Sequence, residues 1–234
     1  MPDTWLRNAV AEAIGTFALC FVGLLVVASG ADLTAVALAN GVIILVFVAA
    51  LGHVSGGHFN PAITLGMFLG RKIDIQGAAV YWAAQVIGAL AASLVVLLAT
   101  DRAAVAAGTP VIADGVSIFW AIVLEAVATF FLVLVVFGTV VDQRAPLSAY
   151  PFAIGLAITA GVFAIGPFTG GALNPARGFG PALVSGEWGG TAAWLIGPLV
   201  GGVLAWAVFE YVIMSRPPAV VDVAEHDVDA DVAV

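Results

Sequence analysis

Six long apolar stretches dominate the chain and restrict what it can fold into. They cover approximately residues 8–30, 34–52, 75–100, 117–141, 146–166 and 189–213. Each is long enough to cross the hydrocarbon core of a bilayer as an α-helix, which takes about 20 residues. Only 9% of the 234 residues are charged, whereas soluble domains carry roughly a quarter. The sequence therefore predicts an all-α integral membrane protein with six transmembrane helices.

Two shorter segments, at about 60–69 and 174–184, begin with the dipeptide Asn-Pro. A helix of about ten residues is only ~15 Å long, so neither segment can cross a membrane. Asn is a favourable N-cap, and Pro fits the first helical turn because its missing N–H has no helical partner there. These segments are predicted to be re-entrant half-helices that begin inside the membrane.

The two half-helices lie in matching surroundings. Residues 52–62 align with residues 166–176 at a constant offset of 114, and both contain Gly-Gly, two variable residues and Asn-Pro-Ala. Glu12 in the first span matches Glu125 in the fourth at an offset of 113. Because each copy has three spans, an odd number, the copies must enter the membrane from opposite sides. The sequence predicts an inverted repeat whose half-helix N-termini meet near the midplane.

This repeat divides the chain into residues 1–114, residues 115–215 and an acidic tail at 216–234, which is expected to be disordered and cytoplasmic. Most basic residues fall on one side of the predicted topology, and only Arg102 falls on the other. This pattern predicts that both termini are cytoplasmic. We expect a multi-pass protein of the plasma membrane. The basic residues on the predicted cytoplasmic side are Arg7, Arg71, Lys72, Arg144 and Arg216.

A Gly pair precedes each half-helix and allows the loop there to run extended, with successive carbonyls facing a cavity. Such a row of acceptors replaces the hydrogen bonds that a water molecule loses, but does not replace the hydration shell of an ion. The residues predicted to line the pore through their backbone are Gly56, Gly57, His58, Phe59, Gly170, Ala172 and Leu173.

Asn60-Pro61-Ala62 and Asn174-Pro175-Ala176 are the predicted centre of this pore. Two helix N-termini, each with roughly half a positive charge, oppose cations where they meet. The two Asn amides add donors, so that a passing water accepts from both and aims its hydrogens away. Alternatively, both Asn side chains are only N-caps that bind their own backbones.

Three charged residues in the apolar spans also call for an explanation. Arg177 follows the second motif, where Ile63 stands after the first, and its charge is expected to repel cations. The alternative is an Arg that snorkels to the interface. Glu12 and Glu125 either form a proton relay or accept hydrogen bonds from the free N–H groups of the two loops.

The paired Asn-Pro-Ala motifs, together with His58, Thr64, Arg177 and the run Phe179-Gly180-Pro181, resemble those of the aquaporin or major intrinsic protein family over about residues 8–213. The resemblance implies a right-handed bundle of six helices with two half-helices. It also implies a pore in every subunit and a homotetramer.

The resemblance further implies that four side chains form the narrowest point of the pore. By their spacing from the motifs these are Asn40, Val162, Gly171 and Arg177. Water-selective relatives have Phe and His where this chain has Asn40 and Val162, so a wider filter is expected. An alternative for Asn40 is a buried polar residue that bonds between helices.

The sequence thus predicts a passive channel for water and small uncharged solutes such as glycerol, urea or boric acid, which excludes protons and ions. An ion-coupled secondary transporter is the main alternative, because transporters also use inverted repeats and broken helices. A junction or scaffold protein with a closed pore is the second. No enzyme activity, cofactor, metal or nucleic acid partner is expected, since no nucleophile–base pair, ligand cluster or basic patch is present.

Overall fold

The computed structural model describes residues 2–146 and 148–214, which fold entirely into helices and their connections. The all-α membrane fold is confirmed, since six helices of this described part are long and apolar enough to span a membrane. The helices are α1 (Pro2–Ala28), α2 (Leu33–Ser55), α3 (Pro61–Leu69), α4 (Ile75–Ala99), α5 (Arg102–Gly108), α6 (Ile118–Val136), α7 (Tyr150–Thr169), α8 (Pro175–Ser185) and α9 (Thr191–Val208). A π-helical turn extends α6 over Phe137–Val141, and another extends α9 over Phe209–Ile213.

The two half-helices are α3 and α8, and each starts one residue after the Asn that caps it. Two features differ from the sequence-based expectations. The short helix α5 was not predicted; Asp101 caps it by accepting from Ala104 N at 2.8 Å. Helix α7 continues through Pro167 to Thr169, although the apolar stretch was predicted to end at 166. Pro167 therefore does not terminate the helix.

Close helix crossings occur at glycines, and the crossings in the two halves of the chain correspond. A side-chain carbon on Gly88 of α4 would lie 2.2 Å from the carbonyl oxygen of Ala13 in α1. The equivalent atom on Gly201 of α9 would lie 2.3 Å from the carbonyl oxygen of Ala126 in α6. Small residues permit this backbone approach, which drives helix association in lipid.

Helices α2 and α7 also cross at equivalent glycines. A side-chain carbon on Gly41 would lie 2.4 Å from the carbonyl oxygen of Gly155, and one on Gly155 would lie 2.6 Å from that of Gly41. Two matching residues that face each other mark the axis that relates the two halves. The division at residues 114 and 115 remains a prediction, and the acidic tail lies outside the described residues.

Each half-helix packs mainly against the last span of the opposite half, α3 against α9 and α8 against α4. A side-chain carbon on Gly202 of α9 would lie 2.7 Å from the carbonyl oxygen of Ala62 in α3. One on Gly180 of α8 would lie 2.7 Å from the backbone of Ala89 in α4. The half-helices are therefore held in place by the other half of the molecule.

Candidate functional site between the half-helices

The loops before the half-helices share an uncommon backbone conformation at their Gly pairs. All four glycines are left-handed, with φ of 90° and 64° at Gly56 and Gly57 and of 80° and 58° at Gly170 and Gly171. This conformation costs little without a side chain. Each loop directs the N–H groups of two consecutive residues at one buried carboxylate, Glu12 for the first loop and Glu125 for the second.

Phe59 and Leu173, the residues before the two motif Asn residues, share this feature of the backbone. They are also left-handed, at φ 49° and 52°, which is uncommon for residues with a side chain. Both side chains are buried. The matching φ values show that the two loops have the same backbone conformation.

The Glu12 carboxylate receives the N–H groups of the first loop. Oε1 accepts from Ser55 Oγ at 2.7 Å and from His58 N at 3.0 Å. Oε2 accepts from Phe59 N at 2.6 Å and from Gln85 Nε2 at 2.8 Å. Because the loop is buried in protein, these backbone donors need a partner, and the carboxylate supplies it.

Glu125 has the same position at the second loop. Its Oε1 accepts from Thr169 Oγ1 at 2.7 Å and from Ala172 N at 2.8 Å, while Oε2 accepts from Leu173 N at 2.8 Å. Both Glu12 and Glu125 are fully buried. The geometry favours loop support over a proton relay for both carboxylates, since both oxygens of each accept hydrogen bonds from the N–H groups of its loop.

Asn60 and Asn174 are N-caps, and they also join the two loops. Asn60 Oδ1 accepts from Ala62 N at 2.9 Å, and Asn174 Oδ1 accepts from Ala176 N at 3.0 Å. Each amide nitrogen donates at 2.8 Å across the axis, Asn60 to the carbonyl of Leu173 and Asn174 to that of Phe59. An amide has two N–H donors, so each Asn retains one N–H for another acceptor.

Three cavities lie in series along this axis. The first-loop cavity, of about 370 Å³, is lined by residues that include Asn8, His58, Lys72 and Tyr81. The second-loop cavity, of about 260 Å³, lies among α2, α5, α7 and the second loop. Between them is the central channel, of about 20 Å³, where both motif Asn residues lie. A single water needs roughly 10–15 Å³ by this measure, so the central channel has room for about one or two water molecules.

The predicted site residues distribute unevenly over these cavities. Gly57, His58, Phe59, Ala172 and Leu173 line the central channel, and Gly170 lines the second-loop cavity. Gly56 lines none of the three cavities. The Pro and Ala of both motifs do not line them either, since they form the buried first turns of α3 and α8; these residues are Pro61, Ala62, Pro175 and Ala176.

The four predicted filter residues come together from three helices, α2, α7 and α8, and from the second loop. Asn40, Val162, Gly171 and Arg177 line both the central channel and the second-loop cavity. They therefore surround the neck between the two spaces. The structure brings all four to one place, as their spacing from the motifs indicated.

Arg177 and Asn40 carry the polar groups of this neck. Arg177 is only 7% exposed, and its Nη1 is buried with no hydrogen-bond partner among the described residues. Asn40 Nδ2 donates to the carbonyl of Val36 at 2.8 Å, within its own helix. The amide oxygen of Asn40 faces α1, where a side-chain carbon on Gly23 would lie 2.8 Å from Oδ1.

A polar chain beside the first loop extends the predicted site. Gln85 Nε2 donates to both Glu12 and Thr64 Oγ1, and Thr64 contacts His58 Nδ1 at 3.0 Å. Tyr81 Oη donates to the carbonyl of Ser55 at 2.7 Å. Sequence analysis assigned no role to Gln85 or Tyr81; the signal available was a polar side chain inside an apolar span.

Comparison with known proteins shows which family shares this arrangement of spans and half-helices. Residues 2–209 match the profile of the family described as Major intrinsic protein. The chain belongs to the major intrinsic protein family. It is 40% identical over 225 residues to Aquaporin TIP4-4 of Zea mays, which covers 90% of this chain and 88% of that protein.

Other members of the major intrinsic protein family are similarly close. The chain is 37% identical to Aquaporin TIP2-1 of Arabidopsis thaliana, over 90% of this chain and 88% of that one. Among solved structures, the aquaglyceroporin from Plasmodium falciparum superimposes with a TM-score of 0.79 at 24% identity, covering 90% of this chain and 97% of that one. This last similarity concerns the fold.

Proposed function

We propose that this major intrinsic protein is a passive channel for water and small uncharged solutes. The observation that carries the proposal is the series of three cavities, of which the central one has a volume of only about 20 Å³ and is lined by both Asn60 and Asn174. The relatives named as aquaporins support it, since they align along most of the chain. No enzymatic activity is proposed.

Exclusion of protons and ions follows from the charge distribution at the neck and midplane. The N-termini of α3 and α8 point at the central channel with roughly half a positive charge each. Arg177 adds a fixed charge at the neck, where it lacks an ion pair among the described residues. A cation in the channel meets these three positive groups without a compensating cage of acceptors.

Small neutral solutes such as glycerol, urea or boric acid are proposed as further permeants. Two of the four filter residues, Val162 and Gly171, are small, and the carbonyl and amide groups around them offer both donors and acceptors. The size of the neck and these donors and acceptors together determine which solutes pass.

The main alternative, an ion-coupled transporter, receives little support from the two buried carboxylates. Such a transporter needs ion sites at the midplane. Glu12 already accepts four hydrogen bonds and Glu125 three. A coupling ion would have to displace the donors that hold the loops.

Assembly and placement complete the proposal. We infer a homotetramer in the plasma membrane, with both termini cytoplasmic. The orientation is supported by the positions of Arg7, Arg71, Lys72 and Arg144 on one side of the bundle, against Arg102 on the other. The tetramer is supported by family membership, and the multi-pass topology by the six apolar spans.

Stopped-flow light scattering on proteoliposomes tests the proposed function. Osmotic gradients of sucrose, glycerol, urea and boric acid are compared with empty liposomes, without ion gradients. We expect rapid water flux and measurable flux of at least one small solute. Water movement no faster than in empty liposomes would refute the channel.

Replacement of two filter residues tests selectivity. Asn40→Phe combined with Val162→His narrows the neck, so solute flux is expected to fall by a larger factor than water flux. Val162→Ile serves as a control that retains an apolar neck. Equal reductions of water and solute flux in the double variant would show that the filter lies elsewhere.

A further inference from the structure

The Thr64 hydroxyl lies between three polar groups, one of which is the His58 ring. Its Oγ1 makes three contacts, with Asn60 O at 3.1 Å, Gln85 Nε2 at 3.0 Å and His58 Nδ1 at 3.0 Å. A hydroxyl has one hydrogen and two lone pairs. The Asn60 carbonyl only accepts, so the hydroxyl hydrogen belongs there, and Oγ1 has two acceptor positions left.

These two acceptor positions are taken by Gln85 and His58. Gln85 Nε2 also donates to the Glu12 carboxylate, which only accepts, so the amide faces Thr64 with its nitrogen. All three contacts of Thr64 are then hydrogen bonds only if His58 Nδ1 carries a hydrogen. Neutral His58 with its hydrogen on Nδ1 has an unprotonated Nε2, which is an acceptor.

His58 Nε2 lies at the junction of two cavities. The side chain lines both the first-loop cavity and the central channel, and its ring meets that of Tyr81 edge to face at 5.1 Å. Nε2 has no hydrogen-bond partner among the described residues. It lies beside Gly56, where a side-chain carbon would be 3.3 Å away, so the missing side chain leaves Nε2 accessible.

We propose that Thr64, held by Gln85, is a positioning residue that makes His58 Nε2 a hydrogen-bond acceptor where the first-loop cavity joins the central channel. The proposal deepens, and its flux arm rests on, the channel function proposed above. Water that accepts hydrogen bonds from the two Asn amides turns its hydrogens away from the midplane. On the first-loop side those hydrogens point towards His58. An acceptor at Nε2 forms a hydrogen bond with the water there, whereas a donor at Nε2 would face the hydrogens of that water.

Nitrogen-15 NMR of histidine-labelled protein in liposomes at neutral pH tests the assignment directly. The chain has three histidines, so His53→Gln and His226→Gln leave a single signal pair. We expect a protonated Nδ1 and an unprotonated Nε2. A protonated Nε2 in this otherwise unaltered protein would overturn the proposal, whether or not the channel conducts.

Thr64→Val provides the second arm, because it removes the acceptor of the Nδ1 hydrogen while nearly retaining side-chain volume. We expect the signals to shift towards the Nε2-protonated form. Water permeability should fall by about two- to tenfold, as one hydrogen bond of about 0.5–1.5 kcal/mol is lost. Thr64→Ser should restore both the signals and the flux.

Ser93→Ala is the matched control, because Ser93 is a buried hydroxyl of α4 that bonds only to its own helix, at Ala89 O. It should leave the His58 signals and the flux unchanged. If Thr64→Val lowers the flux while Nδ1 remains protonated, Thr64 is only structural and the proposal is wrong. Unaltered protein with the expected tautomer but no water flux would instead refute the channel function.

Discussion

The two halves of this protein share a backbone, but they differ in the side chains around the loops. Beside the first loop lie four polar side chains: Gln85, Thr64 and His58, which form a polar chain, and Tyr81, which donates to the loop. The equivalent positions of the second half are Ala172, Gly178, Trp194 and Pro198. The second half instead has Arg177 where the first has Ile63.

In the second half, Trp194 stands at the position of Tyr81. Its ring packs against α8 so closely that a side-chain carbon on Gly178 would lie 2.4 Å from it. The indole Nε1 has no hydrogen-bond partner among the described residues, whereas Tyr81 donates to the first loop. The comparison teaches that one fold, used twice, places neutral polar side chains against the first loop and a buried cation beside the second.

The largest expected effect comes from the two supporting carboxylates. In Glu12→Gln the new NH₂ group faces two donors whichever way it turns, because each oxygen of Glu12 accepts two hydrogen bonds. In Glu125→Gln the new NH₂ group can take the position of Oε2 and face only one donor, Leu173 N. Each unsatisfied buried donor costs about 1–3 kcal/mol. Glu12→Gln should therefore lose about twice as much stability.

Thermal unfolding in detergent, followed by tryptophan fluorescence, measures this difference. Thr159→Val, which removes a buried hydroxyl bound to its own helix, controls for the general loss of a buried polar contact. Equal shifts in the unfolding temperature of the two Glu variants would mean that the extra donor from Gln85 contributes nothing. The two halves would then differ in chemistry but not in the support of their loops.

The second expected effect concerns the fixed cation. Arg177→Ile gives the second half the residue of the first and removes the charge from the neck. Proton and cation exclusion should weaken, and urea flux should rise several-fold, because an intramembrane charge and a bulky side chain are both lost. A pH-sensitive dye inside the liposomes reports proton entry after an acid jump. Ile63→Val, the matched change in the first half, should leave proton entry unchanged.

An unchanged proton barrier in Arg177→Ile would assign exclusion to the helix N-termini alone. That outcome would make the two halves equal contributors to the barrier. It would also limit the role of Arg177 to the choice of solute, which the urea flux measures separately.

The smallest expected effect lies in the loop between the first two spans of the second half. Asp142 and Arg144 form an ion pair at 2.6 Å, and the hydrogen bonds from Arg144 lower the pKa of Asp142 to about 2. Stability from a lowered pKa is present above the ordinary value of about 3.9 and is lost as the pH falls through about 2. Since the Arg144 side chain is 61% exposed and solvent screens the pair, Asp142→Asn should leave the unfolding temperature unchanged between pH 5 and 8.

The corresponding loop of the first half offers the control for this pair. Asp32 there caps α2 by accepting from Ala35 N at 2.9 Å, so Asp32→Ala should lower the unfolding temperature more than Asp142→Asn does. A larger shift for Asp142→Asn would mean that the exposed ion pair, rather than the helix cap, holds its loop.

The order of spans and half-helices could be predicted because apolar length and Asn-Pro starts are local signals. The pairing of Glu12 and Glu125 with their loops followed from the repeat. The left-handed loop glycines could not be predicted, because Gly permits both extended and left-handed backbone. The short helix α5 was missed because seven residues, Arg102–Gly108, show little periodicity.

Residues of the candidate site could be predicted from the sequence only where their spacing from a motif was informative. The four filter positions are of this kind, and the structure brings them together. The polar chain of Gln85, Thr64 and His58 was not accessible, since it depends on how far α4 lies from the first loop. The roles of all these residues remain predictions until fluxes are measured.

The crossed bonds of the two motif Asn residues also set a constraint on how the chain is made. Asn60 needs the carbonyl of Leu173, and Asn174 needs that of Phe59, so the partners are separated by 113 and 115 residues. A ribosome adds about 5–20 residues per second, so the first loop waits on the order of ten seconds for its partner. During that interval α3 lies in the nascent chain without α9 to pack against. The first half-helix therefore reaches its final position only when synthesis of the second half is nearly complete.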